Sequence, residues 1–124
     1  MDTKKVGDRL VELCREGRNL DAIEELYSPD IASVEAMDDG TMPREMNGID
    51  AIRGKNQWWL NNHEVHAATV EGPYPNGDRF TVKYHYEVTP KEGPMAGNRY
   101  AMDEVALYTV KDGRIVREEF FYAM

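Results

Sequence analysis

Hydrophobic and polar positions divide the chain into a helical first half and a stranded second half. Val6, Leu10, Leu13 and Cys14 recur at helical spacing, and Gly17 supplies a left-handed stop. Asn19 is placed to cap a second helix, with Asp21 in its first turn and Leu20, Ile23, Leu26 and Tyr27 along its apolar side. Ser28-Pro29-Asp30 breaks that helix, Ile31 to Met37 reads as a short strand, and Asp38 to Asn47 as a polar loop. A third helix runs from about Ile49 to His63. Ile49, Ile52, Asn56, Trp59, Leu60 and His63 fall in one arc of it, with Trp58 on the opposite side. Trp59 is thus expected in a core or pocket wall.

Beyond that helix the period changes to two. Val65 to Glu71 is a strand, and Pro73 to Asp78 is a hairpin connection centred on Asn76-Gly77. Arg79 to Thr89 alternates, with Phe80, Val82, Tyr84, Tyr86 and Val88 on one face. Pro90 to Asn98 is a loop, Arg99 to Val110 a strand, Asp112-Gly113 a tight turn, and Arg114 to Tyr122 the last strand. Helices followed by long hairpin-linked strands predict an α+β fold. The helices should pack in the concave face of a strongly curved antiparallel sheet, a cone or α+β barrel with room for a pocket.

Turn arithmetic then assigns faces. A two-residue turn at Asp112-Gly113 sets Leu107 opposite Glu118, Val105 opposite Phe120 and Asp103 opposite Tyr122. Two carboxylates, Asp103 and Glu118, therefore fall on the expected apolar core face. Such carboxylates suit general acid or base work, because burial separates their affinities for protons. The opposite, convex face is expected to carry Tyr108, Phe121 and Met102 and to serve a homodimer. The same arithmetic at Asn76-Gly77 groups His66, His85 and Glu87 on one sheet face, a spacing that matches no metal signature.

Composition narrows the function classes. At 124 residues the chain is expected to be one domain, 1–124, with a single core. A net charge of −8 argues against nucleic acid, whose phosphates need a basic surface. The single cysteine, Cys14, excludes an internal disulfide and falls on the apolar stripe of the first helix. No apolar run is long enough for a membrane span, and Met1-Asp2-Thr3-Lys4-Lys5 lacks the apolar centre of a signal peptide. A cytoplasmic protein with no cofactor and no metal is the expectation.

Three segments in this order resemble the nuclear transport factor 2-like superfamily and, within it, the SnoaL-like group. They are Leu26-Tyr27-Ser28-Pro29-Asp30, Gly48-Ile49-Asp50-Ala51-Ile52 and Asp112-Gly113-Arg114-Ile115-Val116. The resemblance covers nearly the whole chain and implies the curved-sheet fold, but the superfamily hosts isomerases, cyclases, dehydratases, hydrolases and non-catalytic modules. Comparison with its ketosteroid isomerases implies Glu35 as the general base, nine residues after Leu26. The positions of the isomerases' oxyanion donors hold Leu10 and Val105, which donate no hydrogen bond.

The candidate site thus comprises Glu35 as base or acid and Glu118 or Asp103 as its partner. Asn56, Tyr84 and Tyr86 are the candidate hydrogen-bond donors, and Trp59, Phe120 and Tyr122 the apolar wall. Three functions fit. One is a cofactor-independent isomerase, cyclase, dehydratase or hydrolase acting on a small apolar carbonyl or hydroxyl compound. Another is a non-catalytic module that binds an apolar metabolite or another protein. The third is a structural homodimer whose aromatics fill its own pocket.

Overall fold

The computed structural model describes residues 2–36 and 43–123. Its elements follow the expected order: α1 (Thr3–Arg15), α2 (Asn19–Leu26), β1 (Tyr27–Val34), β2 (Glu45–Asn47), α3 (Ile49–Asn62), β3 (His63–Asn76), β4 (Arg79–Pro90), β5 (Tyr100–Lys111) and β6 (Arg114–Phe121). They form three helices and one six-stranded sheet of order β2-β1-β6-β5-β4-β3. The fold is α+β as expected, with one difference: β1 runs parallel to β6, so the sheet is mixed. Among the described residues no helix is long and apolar enough to cross a membrane.

Local chemistry explains the element ends. Asp2 caps α1 by accepting the Lys5 N–H at 2.8 Å. At the other end the Arg18 N–H donates to the Leu13 carbonyl at 2.9 Å, with Gly17 at φ +73° turning the chain left-handed. Asn19 is inside α2 rather than capping it, since Arg18 holds the cap position. Tyr27 is already extended, so β1 starts four residues before the predicted Ile31 and runs through Pro29. Its predicted end at Met37, and residues 38–42 of the predicted loop, lie outside the described residues. The last residues of that loop form β2, which pairs Glu45 with Val34.

The stripe of α1 and α2 behaves as its spacing demands. Val6, Leu10, Leu13, Ile23 and Leu26 are buried, packed with Phe80, Val82 and Tyr84 of β4 and Tyr108 of β5. Cys14 is buried among them, and desolvation pushes its thiol up to about 11. The concave face of the sheet is therefore the core face, and the helices fill part of it.

A one-residue irregularity then decides which side chains face inward. The turn at Asp112-Gly113 is as predicted, with Lys111 opposite Arg114 and Val110 opposite Ile115. Both turn residues have positive φ, +53° and +77°, which suits a tight hairpin. Between Thr109 and Val110 the register slips, because Arg117 rather than Val116 faces Thr109. Val116 is thus an extra residue, a bulge. Beyond it Tyr108 faces Glu118, Ala106 faces Phe120 and Val105 faces Phe121.

The predicted faces of β5 are therefore exchanged. Tyr108 is buried and Met102 lines the interior, not the convex face. Val105 and Phe121 are exposed on the outside, and Asp103 is outside with them. Period-two geometry makes this unavoidable, since a slip of one residue reverses the facing of every side chain beyond it. At β3 a similar effect operates. The turn residues are Gly77 and Asp78, Asn76 faces Arg79, and a further shift between Glu71 and Tyr74 leaves His85 opposite Thr69 and Glu87 opposite Ala67. His66 sits at another irregularity and bonds Thr89 at 2.6 Å, apart from His85.

Gly7 lets α1 approach the sheet. A β-carbon there would lie 2.8 Å from the Pro73 side chain and 3.2 Å from the Phe80 ring. Gly7→Ala gains up to about 1 kcal/mol of helix propensity, but overpacking against a rigid proline costs about 1–3 kcal/mol. Urea denaturation of G7A should show a net loss of about 1 kcal/mol, set by that balance.

Candidate functional site

A cavity of about 340 Å³ opens between the concave sheet face, α2 and α3. Its wall takes residues from every helix and from β4, β5 and β6. At its floor the Tyr84 and Tyr108 hydroxyls lie 2.7 Å apart and share a hydrogen bond, with the Cys14 sulfur 4.0 Å from Tyr84. Burial pushes both phenols well above their usual range, so they stay neutral donors. Tyr84 also stacks on Tyr86, and Tyr86 meets Trp59 at 5.7 Å between ring centroids.

The chemistry converges on Lys55 of α3. Its ammonium donates to Glu35 Oε1 at 2.8 Å and to Ser33 Oγ at 2.7 Å, and lies 3.8 Å from Glu118 Oε1. It also sits 5.0 Å from the centre of the Phe120 ring. Glu118 itself is buried, and both its oxygens are occupied. Ser33 donates to Oε1 at 2.8 Å and Tyr27 donates to Oε2. Burial pushes the Glu118 carboxyl up, against the pull of Lys55 and of those two hydroxyls. Glu35, just past β1, also accepts from the Tyr122 hydroxyl at 3.0 Å.

Glu104 on β5 completes the set and differs from the others. It faces the cavity, yet no hydrogen bond reaches its carboxyl among the described residues. Burial, with Glu35 and Glu118 nearby, pushes it up to about 7 in spite of Lys55. A carboxyl that is half-ionised near neutral pH can take or give a proton with little penalty.

The predicted residues are therefore only partly assembled. Glu35, Glu118, Asn56, Trp59, Tyr84, Tyr86, Phe120 and Tyr122 all line the cavity. Asn56 spends its amide on the Ile52 carbonyl of its own helix at 2.9 Å. Asp103 does not belong: the bulge turns it outward, where it accepts from His85 Nδ1 at 2.8 Å. Its neighbour Glu104 takes its place. Sequence reasoning missed Glu104 because the register was taken as unbroken, and missed Lys55 because a lysine was not sought on an apolar arc. The second had a signal, since Lys55 lies only about 40° around α3 from Trp59.

His63 was placed on the right arc, and it faces the cavity from the end of α3. Its ring stacks on Trp59 at 4.4 Å. Its Nδ1 bonds the Trp59 carbonyl at 2.8 Å, and since a carbonyl only accepts, Nδ1 carries the proton and Nε2 is directed elsewhere.

Residues 1–122 match the family model of the SnoaL-like domain. The chain belongs to the SnoaL-like family. No curated protein matches it. Among solved structures, a Mesorhizobium loti protein named as a candidate SnoaL-like polyketide cyclase and also as a carbohydrate phosphatase is 45% identical, with TM-score 0.91 over 98% of this chain and 100% of that one. A candidate SnoaL-like polyketide cyclase from Jannaschia sp. CCS1 is 20% identical, with TM-score 0.73 over 98% and 90% of the two chains. A cystatin-like protein from Xanthomonas campestris is 15% identical, with TM-score 0.77 over 100% and 92%. The last two are similar in fold alone.

An acid whose folded affinity for protons exceeds its unfolded one stabilises the fold at low pH and loses that contribution as pH rises. For Glu104 the window runs from 4.5, its ordinary value, to about 7. Glu104→Gln should remove this fall and raise stability by up to about 3 kcal/mol above the window, with no gain below it. Thermal unfolding of both proteins across that pH range measures it.

Proposed function

We propose that the chain is a cofactor-independent general acid/base enzyme acting on a small, largely apolar carbonyl or hydroxyl compound held in the cavity. The observation that carries this is the Glu104 carboxyl, which has no hydrogen-bond partner among the described residues and is poised near neutrality at the wall of an aromatic cavity. Paired acids elsewhere in the site are already committed: Glu118 to Tyr27 and Ser33, Glu35 to Lys55 and Tyr122. Glu104 is the base that takes a proton from carbon or oxygen. Lys55, the only Lys or Arg lining the cavity among the described residues, offers its positive charge to an oxygen that becomes negative. Glu35 and Ser33 hold that ammonium in place.

The similarity to the Mesorhizobium loti protein, named as a candidate polyketide cyclase, supports a reaction that begins by removing a proton beside a carbonyl. Isomerisation, cyclisation and dehydration all share this step. The cavity also remains open after Tyr84, Tyr86, Phe120 and Tyr122 have been placed, which speaks against a pocket filled by its own aromatics.

Proton abstraction can be assayed without knowing the product. Incubation in D₂O with cyclohexanone, phenylacetone and hydroxyacetone should give enzyme-dependent deuterium uptake beside the carbonyl, followed by NMR. The rate should rise with pH and level off above the titration of Glu104. E104Q should lose about 100-fold or more, and K55M should slow exchange while leaving the pH profile in place. Exchange that E104Q supports as well as the parent protein would remove the base assignment.

A further inference from the structure

The charge lining the cavity does not balance. Among the described residues, Glu35, Glu104 and Glu118 face it, against the single ammonium of Lys55. That ammonium is shared between Glu35 and Ser33 and lies 3.8 Å from Glu118, so Glu104 is left without a counter-charge in contact. Beside Glu104 stand electron-rich ring faces. Glu104 faces Tyr84 across the β4–β5 pair, Tyr86 is the next inward residue along β4, and Trp59 meets Tyr86 at 5.7 Å. A cation already meets an aromatic ring in the same cavity, since the Lys55 ammonium lies 5.0 Å from the centre of the Phe120 ring. A carboxylate next to aromatic faces, enclosed and short of positive charge, is the environment that favours an organic ammonium group.

We propose that the cavity selects small compounds bearing an alkylammonium group, seated between Glu104 and the rings of Tyr86 and Trp59. This rests on the acid/base reading of Glu104 and narrows its substrate class to amine-bearing carbonyl or hydroxyl compounds. Binding of the cation draws the Glu104 proton off, so the ligand itself turns the neutral acid into the base. Simple carboxylate anions are excluded by the same charge. At about 340 Å³ the cavity holds a ligand of a dozen or so heavy atoms. Among the described residues, the other charged or titratable groups lining the cavity are Lys55 and His63 from α3, Tyr27 from β1, Glu35 beyond it, Tyr84 and Tyr86 from β4, Tyr100 and Tyr108 from β5, Glu118 from β6, Tyr122 beyond it, and Cys14 from α1.

The test is titration with tetramethylammonium chloride and with its neutral shape-mate tert-butanol, at fixed ionic strength. Tryptophan fluorescence reports binding, and carbon NMR of labelled glutamate follows the Glu104 carboxyl. At about pH 8 tetramethylammonium should saturate and bind at least about tenfold tighter than tert-butanol, and by about pH 5.5 its affinity should fall about tenfold or more, as the competent carboxylate becomes scarce. E104Q should lose both the preference and the pH dependence.

Equal or tighter binding of tert-butanol, or no saturation by the cation, overturns the inference; the base assignment survives that result if Glu104 still titrates near neutrality. A pH dependence that persists in E104Q moves the charge to another group and overturns the assignment to Glu104. A Glu104 that titrates in the ordinary carboxylate range removes the base reading, while the comparison of cation and alcohol still decides the ligand class.

Discussion

The buried carboxylate of Glu118 is the constraint on which this site depends. A carboxyl inside a core is tolerated only with partners around it, and Glu118 draws its partners from β1 and α3. Tyr27 and Ser33 come from β1, Lys55 from α3. Those contacts fasten the parallel β1–β6 pair at the point where Ser33 faces Glu118, and they fix the rotation of α3 about its axis. Trp59 and Asn56 are set by that rotation, being on the same helix. Lys55, held in this way, then fixes Glu35. A hydrophobic residue at position 118 could pack as well, but it would leave Lys55 with no reason to point inward.

Much of this was legible in the residues, though unevenly. Element type followed from period: the stripe Val6, Leu10, Leu13, Cys14 needs a helix, and Phe80, Val82, Tyr84 on alternate positions needs a strand. Turn chemistry located the last hairpin, because Asp112-Gly113 accepts the positive φ angles of a tight turn. Facing was only half legible. The pattern Val105, Leu107 against Tyr108, Ala106, Glu104 is ambiguous, since both rows hold apolar side chains. The bulge at Val116 was free to choose between them. Burial of the phenol rings and the Ala106 position favours the observed choice, and Glu104 comes inside with them.

The site's other hidden member, Lys55, illustrates a different limit. A lysine within an apolar arc reads as a side chain that snorkels to water. Its inward placement depends on two acids, Glu35 and Glu118, from segments 20 and more residues away in the chain. No local pattern on α3 contains that information. Long-range charge pairing of this kind becomes visible only when the sheet order places β1 beside β6.

Among the described residues, one ammonium among three carboxyl groups gives the site its character. Were a second cation built into the wall, Glu104 would ionise fully at neutral pH and become a weak base held in an ion pair. Were Lys55 absent, three carboxyls would face the cavity with no Lys or Arg among the described residues to balance them. With that charge engaged by Glu35 and Glu118, Glu104 is left with no cation in contact. The same arithmetic that leaves Glu104 poised also leaves the cavity short of positive charge. A ligand that brings that charge is bound and, in the same event, meets a base.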